Sequence, residues 1–315
     1  MIGLVIKHLA IGAAILVALS ACTPTTTPPD TRTVSLSAPI AQGASADSKS
    51  AALLYRRIER DLLAKGLMRT DGGGVDARFG APELARNFER VALFNEYVQS
   101  GGRFIARQSE ASLRRWRAPV RVKLHFGASA PADMRAKDRA NVARYLRRLS
   151  RVTGHSVSLT QDARAANYHL FVVSLDEQRA LDATLRELNL GLAEATIRDI
   201  AWQGRNNYCF VYASSTVATP HTYHLAVAVV RTEHPDLMRL ACYHEEIAQG
   251  LGLANDSPEA RPSIFNDDEE FALLTTHDEM LLRMLYDRRL TPGMTPDVAR
   301  PIVRQIAQEM AGGRS

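Results

Sequence analysis

The residues best suited to chemistry lie between His244 and Asn255, in the run His-Glu-Glu-Ile-Ala-Gln-Gly-Leu-Gly-Leu-Ala-Asn, with Asp256 as its neighbour. Glu245 and Gln249 are four positions apart, so on a helix they stand one above the other and can grip one ion. A solvated pair on an exposed helix has the same spacing, which alone does not make a site. Glu246 is a residue type that serves as a general base. Asn255 and Asp256 follow Gly250-Leu251-Gly252, small residues that let a chain end a helix and turn sharply. Glu245, Gln249 and Asn255 would offer one charged and two neutral oxygens. Such a set suits calcium or magnesium, weakly, rather than zinc, which prefers imidazole and thiolate. Without a metal, Glu246 lacks the Lewis acid that would make its water nucleophilic. Glu245 and Glu246 are adjacent, about 100° apart around a helix, which argues against a paired-carboxylate glycosidase. His244 shares an apolar stripe with Leu240, Ile247 and Leu251 and reads as a core histidine.

Periodicity predicts the elements that must position these groups. Ser48–Gly66 has helical spacing, and Pro82-Glu83 opens a second helix through Leu84, Phe88, Val91, Phe94 and Val98, stopped by Gly101-Gly102. Together they predict a helical hairpin packed on a main domain. Val120–Phe126, His155–Thr160, Tyr168–Leu175, Asn207–Ala213 and Tyr223–Val230 read as strands. The third of these is continuously apolar and therefore central. Ala132–Val152 is an amphipathic helix, Asp176–Gly204 is mixed and partly helical, and Pro235-Asp236 opens the helix that carries the focal run. Two further histidines, His221 and His224, flank Tyr223 at a strand entry, a poor metal signal in itself.

The focal run resembles the metal helix of metzincins, in which two histidines one turn apart, a glutamate and a third histidine beyond a glycine hold zinc. With Gly252 on the motif's glycine, the histidine positions become Glu245, Gln249 and Asn255, and the glutamate is Glu246. Ser263-Ile264-Phe265 is similar to the metzincin segment beneath the metal, with Phe265 in place of its methionine. Thr275-Thr276-His277-Asp278 through Leu285-Tyr286 resembles the closing helix of matrixin-type domains, with Thr275 or Thr276 as its cap. The resemblance implies an α+β, zincin-like fold: a twisted mixed sheet, a backing helix and an active-site-type helix. The match to a bacterial lipoprotein family, domain of unknown function 2927, spans nearly the whole mature chain. It is carried by Leu84-Ala-Arg-Asn-Phe88, His244–Gln249 with Leu251-Gly252-Leu253, Ser263–Asp267, and His277-Asp278 through Leu285-Tyr286. That family supplies no activity to carry over.

The 315 residues, 46% hydrophobic and 23% charged, are ordinary globular material. Lys7, an apolar run and Leu19-Ser20-Ala21-Cys22 resemble a lipoprotein signal over residues 1–21, with lipid on Cys22. Thr23 after the cysteine points to the outer membrane by the rule for such signals. Residues 22–47, rich in Thr, Pro and Ser, predict a tether; 48–116 the helical region; 117–315 the main domain. Export makes Cys209 and Cys242, the mature chain's two cysteines, a disulfide expectation, with buried free thiols as the alternative. The net charge of +5 is carried mainly by arginine. Much of it lies between Arg135 and Arg151, and a solvated helix face accounts for it better than an anionic partner. No aromatic interleaving accompanies it, and an exported protein meets no nucleic acid.

Three functions remain on these grounds. The first is a pseudo-metalloprotease, zinc-free, acting as a periplasmic binding or scaffolding module for an envelope protein or peptide. The second is a hydrolase of altered mechanism acting on protein or peptidoglycan, with Glu246 as base and a hard cation or a histidine such as His221 or His224 brought in. The third is a purely structural envelope protein.

Overall fold

The computed structural model describes residues 43–100 and 103–312. The signal expected at 1–21, the lipidation expected at Cys22 and most of the tether expected at 22–47 lie outside the described residues. Among the described residues no helix is long and apolar enough to cross a membrane.

The elements run α1 (Ala46–Ala64), α2 (Ala81–Ala92), β1 (Phe94–Ser100), β2 (Arg103–Glu110), β3 (Arg115–Trp116), β4 (Val120–Phe126), α3 (Ala132–Thr153), β5 (Val157–Leu159) and β6 (Tyr168–Val173). Then come α4 (Leu175–Arg179), α5 (Leu181–Glu187), α6 (Glu194–Ala201), β7 (Cys209–Ser215), β8 (Thr222–Arg231), α7 (Asp236–Leu251), α8 (Thr276–Leu285) and α9 (Pro296–Gly312). This is a mixed α and β fold around one six-stranded sheet of order β3-β8-β6-β4-β5, with β7 paired to β8. All pairings in that sheet are parallel except β7 with β8. Parallel strands need cover on both faces, and β6 is buried along its whole length. Leu124, Leu170, Val172, Ala228 and Val230 face α3 and α7 in the main core. Phe171, Val227 and Val229 face Leu181, Leu185, Ile197 and Ile200 of the α4–α6 excursion.

The second N-terminal helix is shorter than its periodicity predicts. It stops at Ala92, and Phe94–Ser100 forms a strand paired with Arg103–Glu110. The spacing of Phe94 and Val98 continues the helical stripe, but Gly101-Gly102 between two β-compatible runs is equally the sequence of a two-residue hairpin connection. The two N-terminal helices also do not form a hairpin. α1 packs through Ala51 and Tyr55 on Leu175 and Met238, whereas α2 lies against α8 and α9.

The basic helix α3 is held inside the fold. Arg148 pairs with Glu279 on α8 at 2.7 Å and donates to the Leu274 carbonyl. Lys137 pairs with Asp236. Asp138 is buried and takes a two-nitrogen contact from Arg239 of α7, at 2.7 and 3.2 Å, and a hydrogen bond from Tyr243. These groups lock α3 to α7 across the core.

Candidate functional site

α7 is positioned from its carbonyls outwards. Two buried tyrosines of opposite elements, Tyr145 of α3 and Tyr168 of β6, donate to the His244 and Glu246 carbonyls, each at 2.7 Å. At the C-terminus, where carbonyls lack helical partners, Trp116 donates to the Gly250 carbonyl at 2.8 Å and Tyr286 to that of Leu251 at 3.1 Å. Gly250 is packed so closely on Tyr168 that a Cβ would lie 2.5 Å from its hydroxyl. Gly252 has φ +129°, and a Cβ there would meet the Arg114 carbonyl at 2.3 Å. The helix therefore ends, and turns, in a way that only glycine permits.

His244 is a core residue. Its Nδ1 accepts from the Leu274 N–H at 3.0 Å, and its ring stacks on Tyr145 with centroids 3.9 Å apart. Burial, with the Arg148 guanidinium nearby, pulls its pKa down to about 3. Phe265 is fully buried. Its segment is fixed by Asp278, which accepts from the Ser263 hydroxyl at 2.6 Å and the Ile264 N–H at 3.1 Å. Thr275 is the cap of α8, and its hydroxyl accepts from the Asp278 N–H. Thr276 is the first residue of the helix itself.

Glu245, Glu246 and Gln249 all line a cleft of about 890 Å³ between α7 and the edge strand β7, joined on the rim by Asp256, Arg114 and Glu269. Gln249 donates to Asp256 at 2.9 Å. Asn255 does not join them. It is buried, its side chain donates to the Arg90 carbonyl at 2.8 Å and its N–H to that of Val91 at 3.1 Å. It thereby satisfies the end of α2, and Asp256, one residue on, takes the place in the cleft. The turn at Gly252 decides which of the two faces inward, and spacing does not reveal that. His221 and His224 also stay out: among the described residues lining the cleft there is no histidine, and His224 instead contacts the Ser214 carbonyl at 2.9 Å.

The two glutamates are closer than an ideal helix wheel implies. A carboxylate oxygen of each and the Cys209 sulfur all lie within 4.8 Å of one another. On the regular helix α7 the two residues remain about 100° apart, and both side chains nonetheless line the same cleft. Cys209 of β7 is joined to Cys242 of α7 by a disulfide with Cα atoms 5.9 Å apart. In the chain-entropy account, closing a loop of this length stabilises the fold by about 3–4 kcal/mol. With sulfur oxidised, the cleft's side-chain donors are oxygens of carboxylates, amides and hydroxyls, a hard-cation set rather than a zinc set.

One functional element has no side-chain signature. β7 pairs only with β8 among the described residues, so its other edge is open to the cleft that it lines from Cys209 to Ser215. The Ala226 N–H goes to Asn167 and the Thr232 N–H to Val173, so even-numbered residues of β8 address β6. Ala213 is opposite Ala226 and Val211 opposite Ala228. Their N–H and C=O groups therefore point away from β8, into the cleft. A strand that comes after a long excursion and precedes a hairpin is a signal for such an edge.

No curated protein and no solved structure matches the chain. A family model described as protein of unknown function DUF2927 matches residues 81–305, a span that takes in α2, the whole sheet, α7 with its cleft, and α8. The chain belongs to this family of unknown function, DUF2927.

Proposed function

We propose that the chain is an exported lipoprotein, held by lipid on Cys22 at the outer membrane and facing the periplasm, whose zincin-like domain binds an extended peptide segment of an envelope protein without cleaving it. The element order from β4 to α7 is the strand, helix, strand, strand, excursion, strand, strand, helix order of the zincin resemblance. The carrying observation is the open edge of β7 opposite Glu245 and Gln249, with no histidine lining the cleft between them. An added strand takes its affinity from main-chain hydrogen bonds and its specificity from flanking pockets. Val211 and Ala213 supply the former. Glu245, Glu246, Asp256 and Glu269 against a single Arg114 make the cleft acidic in a chain of net charge +5. Segments carrying lysine or arginine fit it best. No resident zinc is assigned, and calcium or magnesium would bind weakly.

The test is binding of labelled basic and acidic peptides to the oxidised chain, together with its metal content. Val211→Pro removes a cleft-facing N–H and leaves the Phe210 and Tyr212 pairings to β8, so peptide affinity should fall about tenfold or more with the fold kept. Unchanged affinity in that variant sinks the strand-docking reading. The close approach of Glu245 and Glu246 keeps one second reading, a hydrolase with Glu246 as base. Cleavage of peptidoglycan or protein that disappears in Glu246→Gln would replace the binding reading with that one.

A further inference from the structure

The disulfide stands between two acidic groups of the cleft and a buried histidine. On its cleft side, the Cys209 sulfur and one oxygen each of Glu245 and Glu246 lie within 4.8 Å of one another. On its inner side, the Cys242 sulfur is 3.7 Å from Nδ1 of His234, a buried imidazole held neutral, its pKa pulled down to about 3 by burial and by Arg231 and Arg239. Cys209 is half-buried and lines the cleft, so the bond is open to a small reductant.

We propose that Cys209, Glu245 and Glu246, with Cys242 as fourth donor, form a site for a thiophilic divalent cation of the zinc class, present only when the disulfide is reduced. The reductant is a dithiol. It gives two hydrogens, one to each sulfur, and closes to its own disulfide as the Cys209–Cys242 bond breaks. Both protein thiols then lose their protons to solvent as the cation binds. In a tetrahedral zinc site with Zn–S of about 2.3 Å, two sulfurs stand roughly 3.8 Å apart. The Cα separation of 5.9 Å allows this by side-chain rotation alone. Donors in such a site stand about 3.3–3.6 Å apart, so the two carboxylate oxygens, within 4.8 Å of each other and of the Cys209 sulfur, need to close by up to about 1.5 Å. Oxidised, the same place offers oxygen only. The site shares Glu245 and Glu246 with the motif that the zinc-peptidase resemblance assigns, but it takes its two sulfurs from outside that motif and leaves out Gln249 and Asn255.

The experiment uses the full chain, oxidised or reduced with a dithiol and desalted without oxygen, then given zinc or cobalt(II) and desalted again. Expected are one zinc per reduced chain, at least tenfold less in the oxidised chain, and a near-ultraviolet thiolate-to-cobalt absorption band. Cys209→Ser should weaken the band and the double change Cys209→Ser with Cys242→Ser should abolish it, and Glu246→Gln should weaken zinc binding by at least about tenfold. Glu245→Gln, at a more exposed position, gives the same test should Glu246→Gln not fold. Equal zinc in the two redox states, no zinc in the reduced chain, a cobalt complex without the thiolate band, or reduction that unfolds the chain would each overturn the proposal.

Discussion

At the scale of single residues, Gly252 does most to shape the cleft. Its φ of +129° and the Arg114 carbonyl beside it leave no room for a side chain. Gly252→Ala should therefore lower stability by about 3 kcal/mol, combining backbone strain and a clash with main chain that cannot rotate away. A urea midpoint unchanged from the parent chain would contradict this. The same turn separates the legible part of the site from the rest. Glu245 and Gln249 share a helix face by spacing, and the structure places both on the cleft. Asn255 and Asp256 lie beyond the helix, where no period applies, and their roles are exchanged relative to the motif. The pairing of Cys209 with Cys242 was legible from parity together with the export that the signal-like N-terminus predicts, while Arg114 and Glu269 carry no sequence signal at all. Burial first, and then the neighbouring Asp267 and Asp268, raises the Glu269 carboxyl above its ordinary range, and the burial arises only on folding.

At the scale of elements, the joint between α3 and α7 sets the helix beside the sheet. Asp138 and Arg239 are both almost wholly buried, and Tyr243 completes the carboxylate's hydrogen bonds. Removing Asp138 takes away the buried partner of Arg239 and leaves it the more exposed Asp236, at 2.7 Å, and the His234 carbonyl. Asp138→Ala should cost about 3–5 kcal/mol, read as a fall in the denaturation free energy, and a loss below about 1 kcal/mol, the worth of an exposed pair, would show that the contact is dispensable. The strands and helices of the main sheet were legible because each has one clean period or is apolar throughout. β6 is buried on both faces and its run is unbroken, and Val120–Phe126 alternates and is a strand over those same residues. α2 and β1 read as one helix because Phe94 and Val98 continue a helical stripe past the point where the chain leaves the helix. Packing of α2 on α8 and α9 ends at Ala92, and beyond it tertiary pairing rather than local period sets the path of the chain.

At the scale of the whole molecule, burial of histidines fixes the pH response. His125, His234 and His244 are pulled down to about 3, and His169 to about 4, in each case chiefly by burial. Unfolded, each would take up a proton near pH 6.5. The unfolded chain therefore binds more protons than the native one between about pH 6.5 and 4, and stability falls as pH is lowered through that window. Each histidine contributes about 1.4 kcal/mol per pH unit there, up to about 5 kcal/mol per unit for four. Denaturation at pH 7, 6 and 5 checks this, and a flat profile would refute it. The anchoring of Asn255 also constrains how the cleft could change by substitution, since this residue fastens the end of α7 to the last carbonyls of α2. Histidines written into positions 245, 249 and 255 would leave the third imidazole facing α2 rather than the cleft, and α2 without its amide donor. A three-histidine centre at these positions is therefore closed to side-chain replacement alone, because it requires the backbone after Gly252 to be redrawn.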